Sequence, residues 1–473
     1  MARRGFAEVF LICFREAYAR VKVSSTEEKS MNHARSLLFK IITRITFVMG
    51  LALAIVFIPN LAIFDERPLP EINQLLDNPI DPDIEGNAYY YLYGMAAASN
   101  KDPYEVGKAV IQTLQSKHAK GEFANLTEHE NNTLYGGSDK WDAEWQAHPQ
   151  AAKCNSRLRS DCFAQLLAVL KETSSTEPRL LTQMKRYEQI IRLPHFIEDM
   201  TQLDITSPLP DFFLVMKLGE LSQAKAYAES GLDGLIVSSQ QDMKFWRMTL
   251  TDSQTLIGKM VAIASLRRNL TGLSYAIENA PALTAEQIHQ LQAILTPLKQ
   301  EEISMEKKLV GELRFGIENW QTAPKKIPDD QSVLLWLMTQ PMASANWYYR
   351  QTLKPAFAFN KMSPADFFEH AQTPTKPLEF SRFNPYNLGG KIYQSKNWQY
   401  ASYIGRAHDL AGIYSLVALQ LELKTIAKQD WPTAIKSSHH KNPYTKKPFD
   451  YDAATNSLGF SCFSATDICQ IQL

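Results

Sequence analysis

Few residues in this 473-residue chain are spaced for chemistry. Arg406-Ala407-His408-Asp409 brings a cation, an imidazole and a carboxylate within one helical turn, a set suited to acid–base work or anion binding. The competing reading makes Asp409 a helix-start residue, with Arg406 and His408 pairing with acids on a neighbouring helix. Glu312 follows Glu301, Glu302 and Glu306 along one expected helix. Paired acids can hydrolyse glycosides, but Lys307, Lys308 and Arg314 interleave with them, and charge of alternating sign marks a solvated face. Glu312, Arg406, His408 and Asp409 are thus the candidate catalytic set, with structural pairing favoured. Phe368-Glu369-His370 lacks the second histidine of a zinc helix, and His439-His440 reads as an exposed loop. No glycine-rich phosphate loop, nucleophile elbow or H-E-x-x-H is present. No cofactor and no metal site is expected.

Aromatic residues crowd the stretch from Trp336 to Tyr403. Some must be core; an excess could line a groove for a peptide, lipid or glycan, with Trp347, Tyr348, Trp398 and Tyr403 as candidate binding residues. Four of the five cysteines form two close pairs, Cys154/Cys162 and Cys462/Cys469, which suits disulfides in an oxidising compartment. Neither pair is C-x-x-C, so a thioredoxin-like motif is excluded.

The elements that must position these residues begin with an anchor. Ile45–Phe64 is free of charge, with Thr46 and Asn60 as polar interruptions. Twenty helical residues span about 30 Å, enough to cross the hydrocarbon layer. Residues 1–44 carry nine Lys/Arg against four Asp/Glu, and Asp65 and Glu66 follow the apolar run. The positive-inside bias then puts the amino terminus in the cytoplasm and the rest outside. A cleaved signal peptide is disfavoured, because the run is long and no small-x-small site follows. The formal net charge of zero argues against a nucleic-acid partner.

The expected organisation is a cytoplasmic tail over 1–41, a transmembrane helix over 42–64, a Pro-rich extended linker over 65–87 and a periplasmic domain over 88–473. Met31 is a plausible alternative start, which would make 1–30 a mis-called extension. The fold class is mainly α: one transmembrane helix, a large irregular multi-helical domain and a small carboxyl-terminal β-hairpin. Helix starts are written at Asp102-Pro103, in a capping box at Thr284–Gln287, and at Ser363-Pro364. Residues 213–228 and 235–250 form a helical hairpin turning at Gly231–Gly234. Residues 448–461 form the β-hairpin, packed on a long helix over 409–427.

Asn87–Gly94 with Asp102-Pro103 and Gly107, Cys154…Cys162-Phe163, Phe245-Trp246-Arg247, Leu256–Met260 and Asn442-Pro443-Tyr444…Pro448-Phe449 resemble a group of exported, inner-membrane-anchored proteobacterial proteins of no established activity. The likeness spans most of residues 85–460 and implies location and foldedness, not chemistry. The carboxyl-terminal pattern also resembles type II secretion pseudopilins, but no prepilin-type processing site precedes Ile45, so that likeness is local. The expected role is a non-enzymatic binding or scaffold protein of the cell envelope. Its partners would be the bilayer, through 42–64, and another envelope or secreted protein. The alternatives are an envelope hydrolase using the candidate set and a steric chaperone for a secreted protein.

Overall fold

A computed structural model describes residues 28–77, 81–136, 160–172, 178–200, 203–204, 206–322, 338–371, 386–394, 400–464 and 468–473. The chain is mainly helical, as its patterning predicts, with one small antiparallel sheet. Helix α1, Glu28–Phe57, contains the start of an apolar span, Ser36–Asn60, of mean hydropathy 2.4 and with none of its apolar window buried. That is long and apolar enough to cross a membrane. The α-helix stops short of the expected Phe64. Pro59 supplies no backbone donor and closes a 3-10 turn, Ile58–Asn60, and a second such turn covers Ala62–Phe64.

The stretch expected as an extended linker is largely folded onto the domain. Helix α2, Pro70–Leu76, buries Ile72 completely against the core. Helices α3, Ala88–Tyr93, and α4, Pro103–Ala119, then pack side by side, with Asp102 capping the second by accepting from the Tyr104 amide. Short helices α5, Glu128–Tyr135, α6, Ser160–Glu172, and α7, Pro178–Ile190, complete the first third.

The core is built on α8, Phe212–Asp252, α9, Leu256–Asn279, and a late helix, α17, Ala401–Lys424. Helix α8 is a hairpin of two helical arms. Its helical geometry breaks at Ser230 and Gly231, and the Gln223 amide reaches the Asp242 carboxylate at 3.1 Å across nineteen residues. Nineteen residues of straight helix would separate them by about 28 Å. Gly231 makes the turn at φ +60° and ψ −146°, a conformation that only glycine adopts without strain. A Cβ there would meet nothing within 4 Å, so the cost of adding one is purely conformational. Gly231→Ala is expected to destabilise the chain by about 1–3 kcal/mol, read as a lowered denaturation midpoint of the detergent-solubilised protein. An unchanged midpoint would show that the hairpin turns by another route.

Helices α10, Ala285–Ile294, α11, Gln300–Ile303, and α12, Glu306–Thr322, follow, the first opened by the expected Thr284/Gln287 capping box. Next come α13, Pro341–Tyr348, a π-helical turn over Tyr349–Leu353, α14, Lys354–Asn360, α15, Pro364–Ala371, and α16, Leu388–Gln394. Helix α17, Ala401–Lys424, starts eight residues before the expected Asp409, because nothing from Ala401 onward interrupts helical hydrogen bonding. Arg406, His408 and Asp409 therefore lie inside a helix rather than at its N-terminus. After α18, Trp431–Ser437, the expected hairpin appears as β1, Asp450–Asp452, and β2, Ser457–Gly459. The terminal residues add β3, Gln470–Gln472, which pairs antiparallel with β2. Gln420 of α17 donates to the Gln472 carbonyl at 2.7 Å and holds the sheet on that helix.

Candidate functional site

The four candidate catalytic residues belong to two separate clusters. Asp409 is buried, and its carboxylate accepts from the Tyr444 hydroxyl at 2.6 Å and from the backbone amides of Phe463 and Ser464 at 2.9 and 3.3 Å. Burial pushes its pKa up against those three donors. His408 faces the Phe367 ring at 5.2 Å, and burial drops its pKa to about 4, so it is a neutral ring in an aromatic box. Arg406 lies over the Tyr403 ring at 5.8 Å. Glu312 instead accepts from the Leu256 amide at 3.2 Å and stands within electrostatic reach of Glu198, Tyr348 and Tyr400. Tyr400 precedes Asp409 by nine residues, about 13 Å of helix. Each acid fastens backbone; they do not face a common reacting centre.

Glu312 is part of a buried polar knot at the elbow joining α8 to α9. Glu198 accepts from the Gln254 and Thr255 amides and from the Thr255 hydroxyl, the last two at 2.8 and 2.5 Å. With Glu312 it covers the amides that open α9. The carbonyls that close α8 are met by two lysines. Lys308 donates to Leu250 and Thr251 at 2.8 and 3.1 Å, and Lys259 donates to Leu250, Glu302 and Ser304. Carboxylates at a helix start and ammonium groups at a helix end both oppose the helix dipole. Burial pushes Glu198 and Glu312 up and both lysines down, Lys308 to about 7. Helix α12 can lie this close only because residue 311 is glycine: a Cβ there would sit 1.7 Å from the Gln254 carbonyl oxygen.

Glu198, Lys259 and Lys308 are absent from the candidate set read from sequence. One sign of Lys259 was legible, a lysine inside the apolar face Leu256–Leu266. Lys308 was hidden by neighbours of both signs that do face solvent. Another buried acid, Asp242, accepts from Tyr187, Gln223 and Asn269, and so ties α7, both arms of the α8 hairpin and α9 together.

Of the candidate binding residues, Tyr348 is buried and hydrogen-bonded to the buried Tyr400, Trp347 is half-buried, and Tyr403 is half-buried beneath Arg406. Trp398 lies outside the described residues. Tyr348, Phe367 and Tyr400 are core. Cys462 and Cys469 form the expected disulfide, with Asp409 beside the sulfurs. Cys162 is also disulfide-bonded, and Cys154 lies outside the described residues.

The strongest functional geometry is where the apolar helix enters the domain. Asn60 donates to the Val56 carbonyl at 2.7 Å and accepts from the Asn387 amide at 2.7 Å. Gln340 donates to the Leu61 carbonyl at 3.1 Å, and Tyr386 to that of Phe64 at 3.0 Å. The Asp65 carboxylate caps α13 by accepting from the Met342 and Ala343 amides at 3.0 and 2.9 Å. Asn346 of α13 donates to Glu66 and to the Arg67 carbonyl, and accepts from the Leu69 amide, all within 2.9 Å. Apart from the local bond of Asn60 to Val56, each of these bonds crosses 277 residues or more of sequence. The result is a seat, not a tether. Above it, Leu37, Phe39, Phe47 and Val48 of α1 are each more than half exposed.

No family model, curated protein or solved structure matches this chain.

Proposed function

We propose that the chain is a single-pass protein of the cytoplasmic membrane whose helical domain stands in the periplasm and binds another envelope or secreted protein without catalysis. The amino-terminal basic excess, the acids just past the apolar run and the disulfides on the far side all support that orientation. The resemblance to exported, membrane-anchored proteobacterial proteins supports the same address.

The observation that carries the reading is the bonded seat around Asn60, Asp65 and Asn346. An enzyme on a diffusible substrate gains little from a fixed pose at the bilayer, whereas a scaffold must present one face at one height. The buried acids and lysines support a non-catalytic role, because they satisfy helix ends.

A Val237→Cys variant, whose site is well exposed on α8, tests the orientation. Labelling by a membrane-impermeant maleimide in intact spheroplasts is expected; protection until lysis would reverse the topology. Photocrosslinking from exposed positions 213 and 237 in living cells is expected to capture a recurrent envelope protein. Capture of none from either position, or from further exposed positions around the domain, would remove the binding role.

A further inference from the structure

We propose that Glu422, His439 and His440 form a binding site for a divalent transition metal, with zinc the ion that fits it. The donor atoms of these three residues all lie within 4.8 Å of one another. Glu422 Oε1 is 3.4 Å from His440 Nε2 and 3.8 Å from His439 Nδ1. Zinc bonds of about 2.0–2.1 Å at the tetrahedral angle put neighbouring ligands about 3.4 Å apart. The two edges from Glu422 are therefore close to those of a zinc tetrahedron; the imidazoles stack with centroids 3.9 Å apart at 38°, so the exposed His439 ring must turn to aim its lone pair at the ion.

The donor set is chemically suited to the task. Two imidazoles and one carboxylate select zinc and its borderline neighbours over calcium or magnesium, which favour oxygen alone. Three protein ligands leave a fourth position for water or a partner's side chain.

The surroundings hold the ligands in place. Glu422 lies in the last turn of α17, and the histidines follow α18, which is fixed to α17 by the buried Ile435 and by Trp431 Nε1 donating to the Leu423 carbonyl at 3.0 Å. Ser438 Oγ donates to Glu422 Oε2 at 3.2 Å and accepts from the His440 amide at 3.1 Å, leaving Oε1 for the ion. Such bonds to ligand groups orient them and sharpen affinity. His440 is 12% exposed, so its ring is held in place by the fold. Nearby lysines are turned elsewhere: Lys424 donates to the Glu278 carbonyl and Lys441 to that of Lys436. The other compact donor group among the described residues, Asp409 with Cys462 and Cys469, has its sulfurs joined to each other.

The test uses the untagged full chain in detergent, titrated calorimetrically with zinc chloride and, in parallel, with cobalt(II) followed by visible absorption. One ion per chain and the strong absorption of tetrahedral cobalt are expected. Glu422→Gln and His440→Ala should each weaken binding at least tenfold, while His129→Ala, at an exposed site on α5, leaves it unchanged. Melting of the metal-free variants should match the parent, which separates ligand loss from unfolding. Absence of stoichiometric binding by the parent, or equal binding by the Glu422→Gln/His440→Ala double variant, overturns the site. Both readouts are independent of membrane orientation, so they stand or fall apart from the proposed address.

Discussion

Lys259→Met is expected to destabilise the protein by roughly 2–5 kcal/mol, the cost of leaving buried carbonyls without their donor at about 1–3 kcal/mol each. Methionine fills the space but donates nothing, so the carbonyls of Leu250, Glu302 and Ser304 lose a shared donor in a site where Lys259 itself has no exposure. Since domains are stable by only about 5–15 kcal/mol, that loss is a large part of the total. It would show as a large fall in the denaturation midpoint. A shift below about 1 kcal/mol, within the ordinary range for a surface change, would mean that water replaces the ammonium.

The same elbow makes a pH prediction of definite sign. Lys308 is held down to about 7 by burial, whereas an unfolded lysine keeps its proton to about 10.4. Between about pH 7 and 9 the unfolded chain therefore binds the additional proton, and stability rises with pH. Lys259 acts in the same direction. The rise should be smaller in Lys308→Met than in the parent.

Asp409→Ala is the second large effect, on the order of 2–4 kcal/mol from orphaning a buried hydroxyl and two backbone amides. Tyr444, Phe463 and Ser464 would lose the group that fastens the disulfide-bearing segment to α17. The signature is local as well as global: faster reduction of Cys462–Cys469 and proteolytic cleavage near residue 463. Asp409→Asn keeps one acceptor oxygen and should lose less. Equal reduction rates in all three proteins would show that the segment is held by its apolar packing alone.

These sites mark how much the sequence disclosed. Asp102-Pro103, Thr284–Gln287 and Ser363-Pro364 disclosed helix starts because the capping residue lies within three positions of the amide it serves. Gly231 disclosed the α8 turn for the same local reason. Asp65 also caps a helix, but that helix begins 276 residues later, at Pro341, so no spacing rule could find it. Residues 65–77 read as a spacer because proline and acids signal extended chain when their partners are unknown. Asp409 carries a visible charge that reads as a helix start, or as chemistry, because its three hydrogen-bond donors come from residues 444, 463 and 464. Strand β3 is three residues long and pairs only through tertiary contact, which leaves little period to read.

The seat beneath the apolar helix has a mechanical consequence. Because Asn60, Leu61, Phe64 and Asp65 are bonded to α13 and the segment entering α16, the helix and the domain turn as one lever. A helix longer than the local hydrocarbon layer tilts to fit it. With the helix in a bilayer, as proposed, such a tilt would be passed through the seat and swing the far side of the domain across the membrane surface. Bilayer thickness would then help to set where the domain's outer face points.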